Sequence, residues 1–220
     1  NLIQTRWGYK AFFSSYKSNS RGVAILFNNN CEITIHEQYR DDNGNYLILD
    51  VIVENLHFLL INIYGLNSDK PEFYSQLLNT LQDIYSSQYI ILGGDFNLIL
   101  NKELDSANYL YHNNHKSRQE VNNLMNTLNL KDVFRENYPD SRMFTWRRRN
   151  PIKQARLDFF LISESLLPKI LSVKSENSYR SDHSPVILSC KTSDFKKGKG
   201  FVGFKLSIFV IICCYANRTA

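Results

Sequence analysis

Apolar runs of two different periodicities alternate along the chain and predict a mixture of strands and helices. β-branched and aromatic runs predict strands at residues 22–27, 46–53 and 57–65. From Pro71 to Tyr85 the apolar residues recur at helical spacing, which predicts a helix that returns the chain to a buried strand ending at Leu92. These apolar stripes indicate core packing and imply no cofactor.

The second half of the chain continues the same mixture. Ser117 and Glu120 have the spacing of a capping box and predict a helix whose apolar face extends to Leu128. Two strands joined by a basic loop, Arg147–Gln154, are followed by a short helix that is interrupted or restarted at Pro168. SDHSPVILSC is then a loop leading into a last strand. Because strands occur in hairpins mixed with helices, the pattern favours an α+β sandwich.

The composition fits one globular domain, because 43% of the 220 residues are hydrophobic and no long polar tract divides the chain. We predict a domain over residues 1–195, then a Lys/Gly-rich linker and an unrelated apolar tail at 196–220. The run that starts at Leu206 is too short to cross a bilayer about 30 Å thick as a helix, so no membrane partner is expected. The cysteines form no CxxC pair and have no histidine at zinc-ligand spacing, which argues against zinc and for a reducing intracellular compartment.

Positive charge is the one compositional hint of a partner. The net charge of +5 and the pI of about 8.9 favour a polyanion such as nucleic acid, although surfaces that bind nothing carry such a surplus too. Four of the 26 lysines and arginines lie within one short loop: Arg147, Arg148, Arg149 and Lys153. That loop either lies along the backbone of duplex DNA or is a solvated basic turn.

The stretch GGDFN interrupts an apolar run with two glycines, a carboxylate and a carboxamide. Gly93 and Gly94 would allow a sharp turn at the end of the strand, which would present Asp95 and Asn97 at the mouth of a sheet. Strand ends of this kind commonly carry catalytic groups, and the same residues are also ordinary turn formers.

Asp158 and His183 are two further polar positions beside apolar strands. A carboxylate ahead of residues 159–162 is costly to bury without a partner, so Asp158 requires a cation, a metal or a histidine. The alternatives are a salt bridge to the adjacent Arg156 or an outward-facing strand position. His183 is either a loop histidine that caps the following strand or a catalytic group held by a carboxylate.

Together these groups supply what is needed to hydrolyse a phosphodiester. A histidine oriented by one carboxylate can act as a base or a transition-state donor, and a further carboxylate can hold a hard divalent cation. The reaction requires an activated water, neutralised phosphoryl oxygens and a stabilised leaving oxygen.

The segments NIYGLN, GGDFN, FTW, ARLDFFLIS and SDHSPV, in this order, resemble the endonuclease/exonuclease/phosphatase superfamily. SNSRGVAILF and WRRRNPIKQARLDFFLIS look specifically like the endonuclease domain of LINE-type retrotransposon reverse-transcriptase polyproteins. The resemblance covers residues 7–200. It implies a DNase I-like, four-layer sandwich in which two mainly antiparallel sheets are flanked by helices.

The resemblance also implies roles for the candidate residues. Asp95 would activate or position the attacking water, and Asn97 would orient the scissile phosphate. His183 would contact that phosphate while Asp158 fixes its ring, and the family's mechanism leaves open whether Asp95 or His183 is the base.

Four more positions complete the implied site. Asp182 would be a ligand of Mg²⁺ or Mn²⁺. Tyr64 would contact the phosphate, unless it is a core aromatic at the end of a strand. Thr145 and Ser181 would support the site on the substrate side.

The sequence departs from the family pattern at both ends. It starts at Asn1, just downstream of the position expected for the family's principal magnesium ligand, a glutamate, and an asparagine of the opening strand. We therefore expect a sandwich without its first strand, helix and second strand, and a chain that by itself nicks DNA feebly or not at all. After KGKGF the tail does not continue as the family does.

Three functions fit these observations. The first is a metal-dependent endonuclease that nicks duplex DNA for retrotransposition, in the nucleus, as a monomeric domain of a longer polyprotein. The second is a truncated remnant that binds without turnover. The third is a phosphatase or sphingomyelinase of the same fold, and the basic loop favours a duplex over a small head group.

Overall fold

The computed structural model describes residues 10–17, 20–28, 32–53, 55–86, 88–109, 114–178, 181–191 and 205–210. The strands are β1 (Ala11–Lys17), β2 (Ser20–Leu26), β3 (Ile33–Arg40), β4 (Tyr46–Val53), β5 (Leu56–Tyr64), β6 (Tyr89–Asp95), β7 (Ser106–Ala107), β8 (Leu130–Asp132), β9 (Trp146–Arg148), β10 (Lys153–Ala155), β11 (Asp158–Ser163), β12 (Ile170–Ser175), β13 (Val186–Lys191) and β14 (Lys205–Val210). The helices are α1 (Pro71–Ile84), α2 (His115–Thr127), α3 (Val133–Asn137) and a 3-10 helix (Glu164–Lys169).

A six-stranded sheet in the order β3-β4-β5-β6-β11-β8 forms the centre of the molecule. Its neighbouring strands are antiparallel except β5 and β6, which are parallel. A parallel pair requires a crossover connection, and α1 supplies it. The predicted hairpin is confirmed as β4 and β5, and the helix predicted after Pro71 is confirmed as α1.

Different layers cover the two faces of this sheet. On one face α1 and α2 contribute buried side chains such as Leu77 and Leu124. On the other face β2 and β13 contribute Val23 and Leu188. Burial of apolar surface on both faces, at about 25 cal/mol per Å² removed from water, is the main stabilising term.

The second layer consists of the pair β1-β2 and the three-stranded sheet β12-β13-β14, all antiparallel. The α+β sandwich of mainly antiparallel sheets predicted from the sequence is therefore confirmed. One segment of the predicted tail, Lys205–Val210, pairs with β13 along its length, so it belongs to the second layer instead of being separate from the domain. The start of the chain, the predicted linker and the rest of the tail lie outside the described residues. Within the described ranges, no helix is long and apolar enough to span a membrane.

The capping box predicted at Ser117 is wrong. Helix α2 begins at His115, after Asn114 in the left-handed region with a φ of 66°. The backbone N–H groups of Lys116 and Ser117 donate to the carboxylate of Asp69 at 3.1 and 2.8 Å. The free N–H groups of the first turn are thus satisfied by a residue that precedes α1, and no local pattern signals it.

The basic loop is shorter than predicted. Strands β9 and β10 pair with each other, which leaves residues 149–152 as the tip of a hairpin over residues 146–155, called here the basic hairpin. After Pro168 the helix does not resume, because residues 170–175 instead form β12 and bond to β13.

The two glycines of GGDFN lie inside β6 instead of forming a turn. Gly94 has a φ of 147°, and a Cβ atom there would collide with the carbonyl oxygen of Ile63 on β5. The turn comes after Asp95, where Asn97 has a φ of 51°. The glycine therefore permits close approach of the strands, and the strand continues as far as the carboxylate.

Candidate active site

The ends of two central strands place Asp95 and Asp158 side by side. Asp95 ends β6, Asp158 begins β11, and the two are direct partners in antiparallel register. Because side chains alternate along a strand, they share the face of Ile91 and Phe160, which pack between the two sheets. Their exposed fractions are only 2% and 3%. The site therefore starts as a pair of buried carboxylates at one end of the sandwich.

The loop that carries His183 is fixed to the start of the basic hairpin. The backbone N–H of Arg147 donates to the carbonyl oxygen of Asp182 at 3.0 Å, and that of Ser184 donates to the carbonyl oxygen of Thr145 at 2.6 Å. These bonds flank His183, so its backbone is held in place on both sides.

His183 reaches both carboxylates. Its Nδ1 lies 2.9 Å from Asp158 Oδ2, and its Nε2 lies 4.0 Å from Asp95 Oδ2. The first distance is a hydrogen bond and fits the partner predicted for Asp158. The second is longer than a hydrogen bond, so Nε2 faces Asp95 without being bonded to it.

The alternative partner for Asp158 is excluded by the contacts of Arg156. That guanidinium instead binds Asp105 and Asp132, with N to O distances between 2.6 and 3.1 Å. Asp158 is also buried, which excludes the outward-facing strand position. Its histidine partner is therefore what makes its burial tolerable.

Burial and mutual charge shift the acidity of the site. Burial, followed by the charge of Asp158, raises the pKa of Asp95 to about 7. For His183, burial lowers the pKa, but the hydrogen bond that its Nδ1–H donates to Asp158 and the charges of Asp158, Asp95 and Asp182 outweigh burial and raise the pKa to about 9. At neutral pH the imidazole is thus protonated, while Asp95 is close to its midpoint.

The turn after β6 fixes the amide of Asn97. Its backbone N–H donates to Asp95 Oδ1 at 2.8 Å, and its Nδ2 donates to the carbonyl oxygen of Gly65 at 2.7 Å. Buried Asn114 donates from Nδ2 to the carbonyl oxygen of Asn97 at 2.8 Å. Asn97 is therefore held beside Asp95, and its contact with the phosphate stays a prediction.

Tyr64 ends β5 and is the register partner of Asp95 on the parallel neighbouring strand. It is half-buried and packs against the core between the sheets. Its position fits both alternatives, so the phosphate contact stays a prediction.

Thr145 supports the site from inside the fold, and its predicted role on the substrate side stays a prediction. It is fully buried, and its Oγ1 accepts the backbone N–H groups of Leu157 and Asp158, each at 3.0 Å. It therefore positions the start of β11. Ser181 is exposed, and its Oγ accepts the backbone N–H of His183 at 3.0 Å, which shapes the loop.

Asp182 lies at the exposed edge of the site. Its Oδ2 accepts from Trp146 Nε1 at 3.3 Å. Its charge contributes to the raised pKa values of both Asp95 and His183, which shows that it is electrostatically part of the cluster.

The basic hairpin starts beside this cluster. Trp146 and His183 form an isolated antiparallel bridge, so the hairpin starts beside the catalytic candidate. Residues 147–149 are exposed and Lys153 is half-buried. Arg147 donates from Nη1 to Asn177 Oδ1 at 3.1 Å, which fixes one of the arginines against the neighbouring loop.

Comparison with known sequences assigns the chain to a family. Residues 58–187, more than half of the chain, match the family model described as endonuclease-reverse transcriptase. This chain belongs to the endonuclease-reverse transcriptase family. Over 193 residues it is also 27% identical to the Transposon TX1 uncharacterized 149 kDa protein of Xenopus laevis, which covers 83% of this chain and 14% of that protein. The chain thus spans a small part of the curated relative.

Solved structures show that this endonuclease-reverse transcriptase domain has a DNase I-like fold. An AP endonuclease from Archaeoglobus fulgidus matches with a TM-score of 0.64 at 18% identity, over 84% of this chain and 80% of that one. A 3′-5′ exonuclease (NExo) from Neisseria meningitidis matches with a TM-score of 0.62 at 19% identity, over the same 84% and 80%. At such identities the likeness establishes the fold alone.

A metal ion fits the site of this endonuclease-reverse transcriptase domain. In the part of the chain that the structure describes, Asp95, Asp158 and His183 are the group whose ligand atoms all lie within 4.8 Å of one another. Burial, followed by the charge of Asp158, raises the pKa of Asp95, and the positive charge of a cation would offset both effects. The arrangement is therefore a possible acidic metal site.

Sequence reasoning missed two groups at this site. Tyr109 stacks edge-on against Trp146 at 5.6 Å, and after burial the charge of Asp95 raises the pKa of its phenol, so it borders the cluster. Arg156 was weighed only as a partner for Asp158. A signal was present, because Arg156 is a charged residue directly before a buried strand, but its partners are far away in sequence.

Proposed function

We propose that the chain is the nicking endonuclease of a LINE-type retrotransposon protein, which hydrolyses one phosphodiester bond of duplex DNA with a divalent cation. The proposal rests on the two contacts of His183, at 2.9 Å to Asp158 and 4.0 Å to Asp95. An imidazole that is held by one buried carboxylate and faces another can contact a phosphate, while the second carboxylate activates or positions the attacking water. The similarity to a transposon protein supports this substrate.

Asp95 is the better candidate for the base. Its pKa of about 7 lies near an ordinary working pH, where a base is most effective. The pKa of about 9 keeps His183 protonated, so its ring donates instead of accepting. Asp95 would take the proton of the attacking water, and Nε2–H of His183 would donate to a phosphate oxygen that gains charge in the transition state.

The predicted Mg²⁺ or Mn²⁺ fits the carboxylates better than the imidazole. These ions prefer oxygen ligands, and a protonated imidazole cannot be a ligand. Since Asp158 is committed to His183 and Asp95 is assigned to the attacking water, we infer that Asp182 would hold the ion. When bound, it would supply positive charge to the phosphoryl oxygens and the leaving oxygen.

The basic hairpin would hold the duplex. Its exposed arginines, residues 147–149, start beside His183, so a backbone bound along them would pass the cluster. Tyr64 and Asn97 remain proposed phosphate contacts. If the substrate is chromosomal DNA, the place of action would be the nucleus.

A panel of substrates tests the reaction class. The chain is offered supercoiled plasmid, an inositol polyphosphate and sphingomyelin vesicles in Mg²⁺ buffer, with EDTA as the metal-free control. We expect open-circular plasmid to form slowly, and only in Mg²⁺, and no phosphate or phosphocholine from the other two substrates. Release of either product without nicking would assign the chain to the phosphatase or sphingomyelinase chemistry of the fold. DNA binding without turnover on any substrate would favour the non-catalytic remnant.

A further inference from the structure

Arg156 is a buried arginine whose three guanidinium nitrogens all donate hydrogen bonds. It is 1% exposed and lies two residues before Asp158. Nε and Nη2 donate to the two oxygens of Asp105 at 2.8 and 2.9 Å, and Nη1 and Nη2 donate to those of Asp132 at 3.1 and 2.6 Å. One guanidinium thus holds two carboxylates in bidentate fashion, which only the planar fork of arginine permits.

The charges of this network are balanced. Arg135 is the second cation, with Nη2 at 2.7 Å from Asp105 Oδ1. The rings of Phe134 and Phe159 lie near the guanidinium of Arg156, with centroids at 5.6 and 5.1 Å. Buried ion pairs of this kind often contribute little net stability relative to apolar residues, because desolvation offsets the attraction. A charged network in the core beside Asp158 is therefore better explained by the positions that it fixes than by the stability that it adds.

The backbone around Arg156 leads directly to the catalytic candidates. The N–H of Arg156 donates to the carbonyl oxygen of Asp105 at 2.8 Å. The next residue, Leu157, accepts the backbone N–H of Phe96 at 2.8 Å, and Phe96 directly follows Asp95. Thr145 takes the N–H groups of Leu157 and Asp158. The segment from Arg156 to Asp158 is therefore fixed at the side chain and along the backbone.

We propose that Arg156 is a positioning residue, which fixes the start of β11 and thereby the separation of Asp158 from Asp95 and the orientation of His183. The catalytic consequence rests on the proposed nuclease function. The geometric consequence does not.

The test compares the same substitution at two arginines of one network. Arg156→Lys keeps the charge but cannot bridge both carboxylates. Arg135→Lys also weakens the grip on Asp105, but Arg135 is not in the segment that leads to Asp158. For each variant, the kinetics of nicking and the thermal stability are both measured. We expect Arg156→Lys to lower kcat by about 10²-fold with KM within about twofold, the effect of a displacement near 1 Å. Arg135→Lys should keep kcat within about twofold of the parent.

A readout independent of activity separates the two claims. We expect a downfield proton resonance from the Nδ1–H that His183 donates to Asp158, present in the parent and in Arg135→Lys and broadened or lost in Arg156→Lys. If the parent chain does not nick DNA, the nuclease proposal fails while this comparison still decides the positioning. If Arg156→Lys does not fold, Asp132→Asn, which weakens one arm of the fork, should weaken the resonance in part. An intact resonance in the folded variant, with rates that fall only in proportion to stability, would overturn the proposal.

Discussion

At the scale of single residues, Asp95 shows a conflict between stability and chemistry. It is buried and its carboxylate faces that of Asp158, so its charged form is disfavoured and its pKa rises to about 7. The same pKa suits a base that must accept a proton near neutral pH. The site therefore holds a carboxylate that the proposed reaction uses and that the fold would be more stable without.

Replacing this carboxylate should stabilise the protein in a pH-dependent way. The unfolded side chain ionises above its ordinary pKa of 3.8 and the folded one only near 7, so folding takes up a proton between these values and stability falls as pH rises through this range. In EDTA, we expect Asp95→Asn to leave the free energy of unfolding little changed at about pH 4 and to raise it by on the order of 4 kcal/mol at about pH 8.5. Denaturant unfolding at both pH values measures it. An equal effect at both would show that burial does not penalise the charge.

The sequence predicted the pairing of His183 with Asp158 but not the network that supports it. The pairing was predicted from the order of the family-like motifs, because each motif places its polar residue at the end of a strand or in a loop. Arg156 binds Asp105 and Asp132, which are 51 and 24 residues away. No local pattern indicates such a contact, so it became visible only after the strands were paired.

At the scale of elements, the fold places the basic hairpin next to the candidate active site. Its exposed arginines, residues 147–149, leave the sheet beside His183. The sequence predicted two strands joined by a loop but overestimated the length of the loop, because the pairing of β9 with β10 extends into the basic residues. The glycines of β6 were likewise predicted to form a turn, because their close approach to β5 depends on tertiary structure.

Substitution of the three hairpin arginines by alanine should weaken binding to duplexes of any sequence. Each phosphate contact contributes about 0.9 to the slope of log K against log salt, so the slope should fall by about 2 to 3. Fluorescence anisotropy over a salt series measures both quantities. The charge-matched control replaces three lysines at the opposite end of the sheets, Lys131, Lys169 and Lys191. Equal losses in the two triple variants would mean that only net charge matters and that the hairpin is a solvated turn.

At the scale of the whole molecule, the sandwich brings separate segments to one end. The ends of β5 and β6, the start of β11 and the loop before β13 meet there, and the basic hairpin starts beside them. The periodicity of strands and helices predicted this architecture, because both faces of the central sheet are apolar. It could not predict that β14 joins the second layer, since Lys205–Val210 shows no pattern that selects β13 as its partner.

The most direct test of the nuclease account is single-turnover nicking of supercoiled plasmid by excess protein in Mg²⁺. His183→Ala and Asp95→Asn remove the proposed donor and the proposed base. His57→Ala is the matched control, because His57 also pairs with a carboxylate, that of Asp50, but lies near the start of β5, away from the site. We predict losses of about 10²-fold or more for the first two variants and a rate within about twofold of the parent for the third. Nicking by His183→Ala at the parent rate, or nicking that persists in EDTA, would contradict the account.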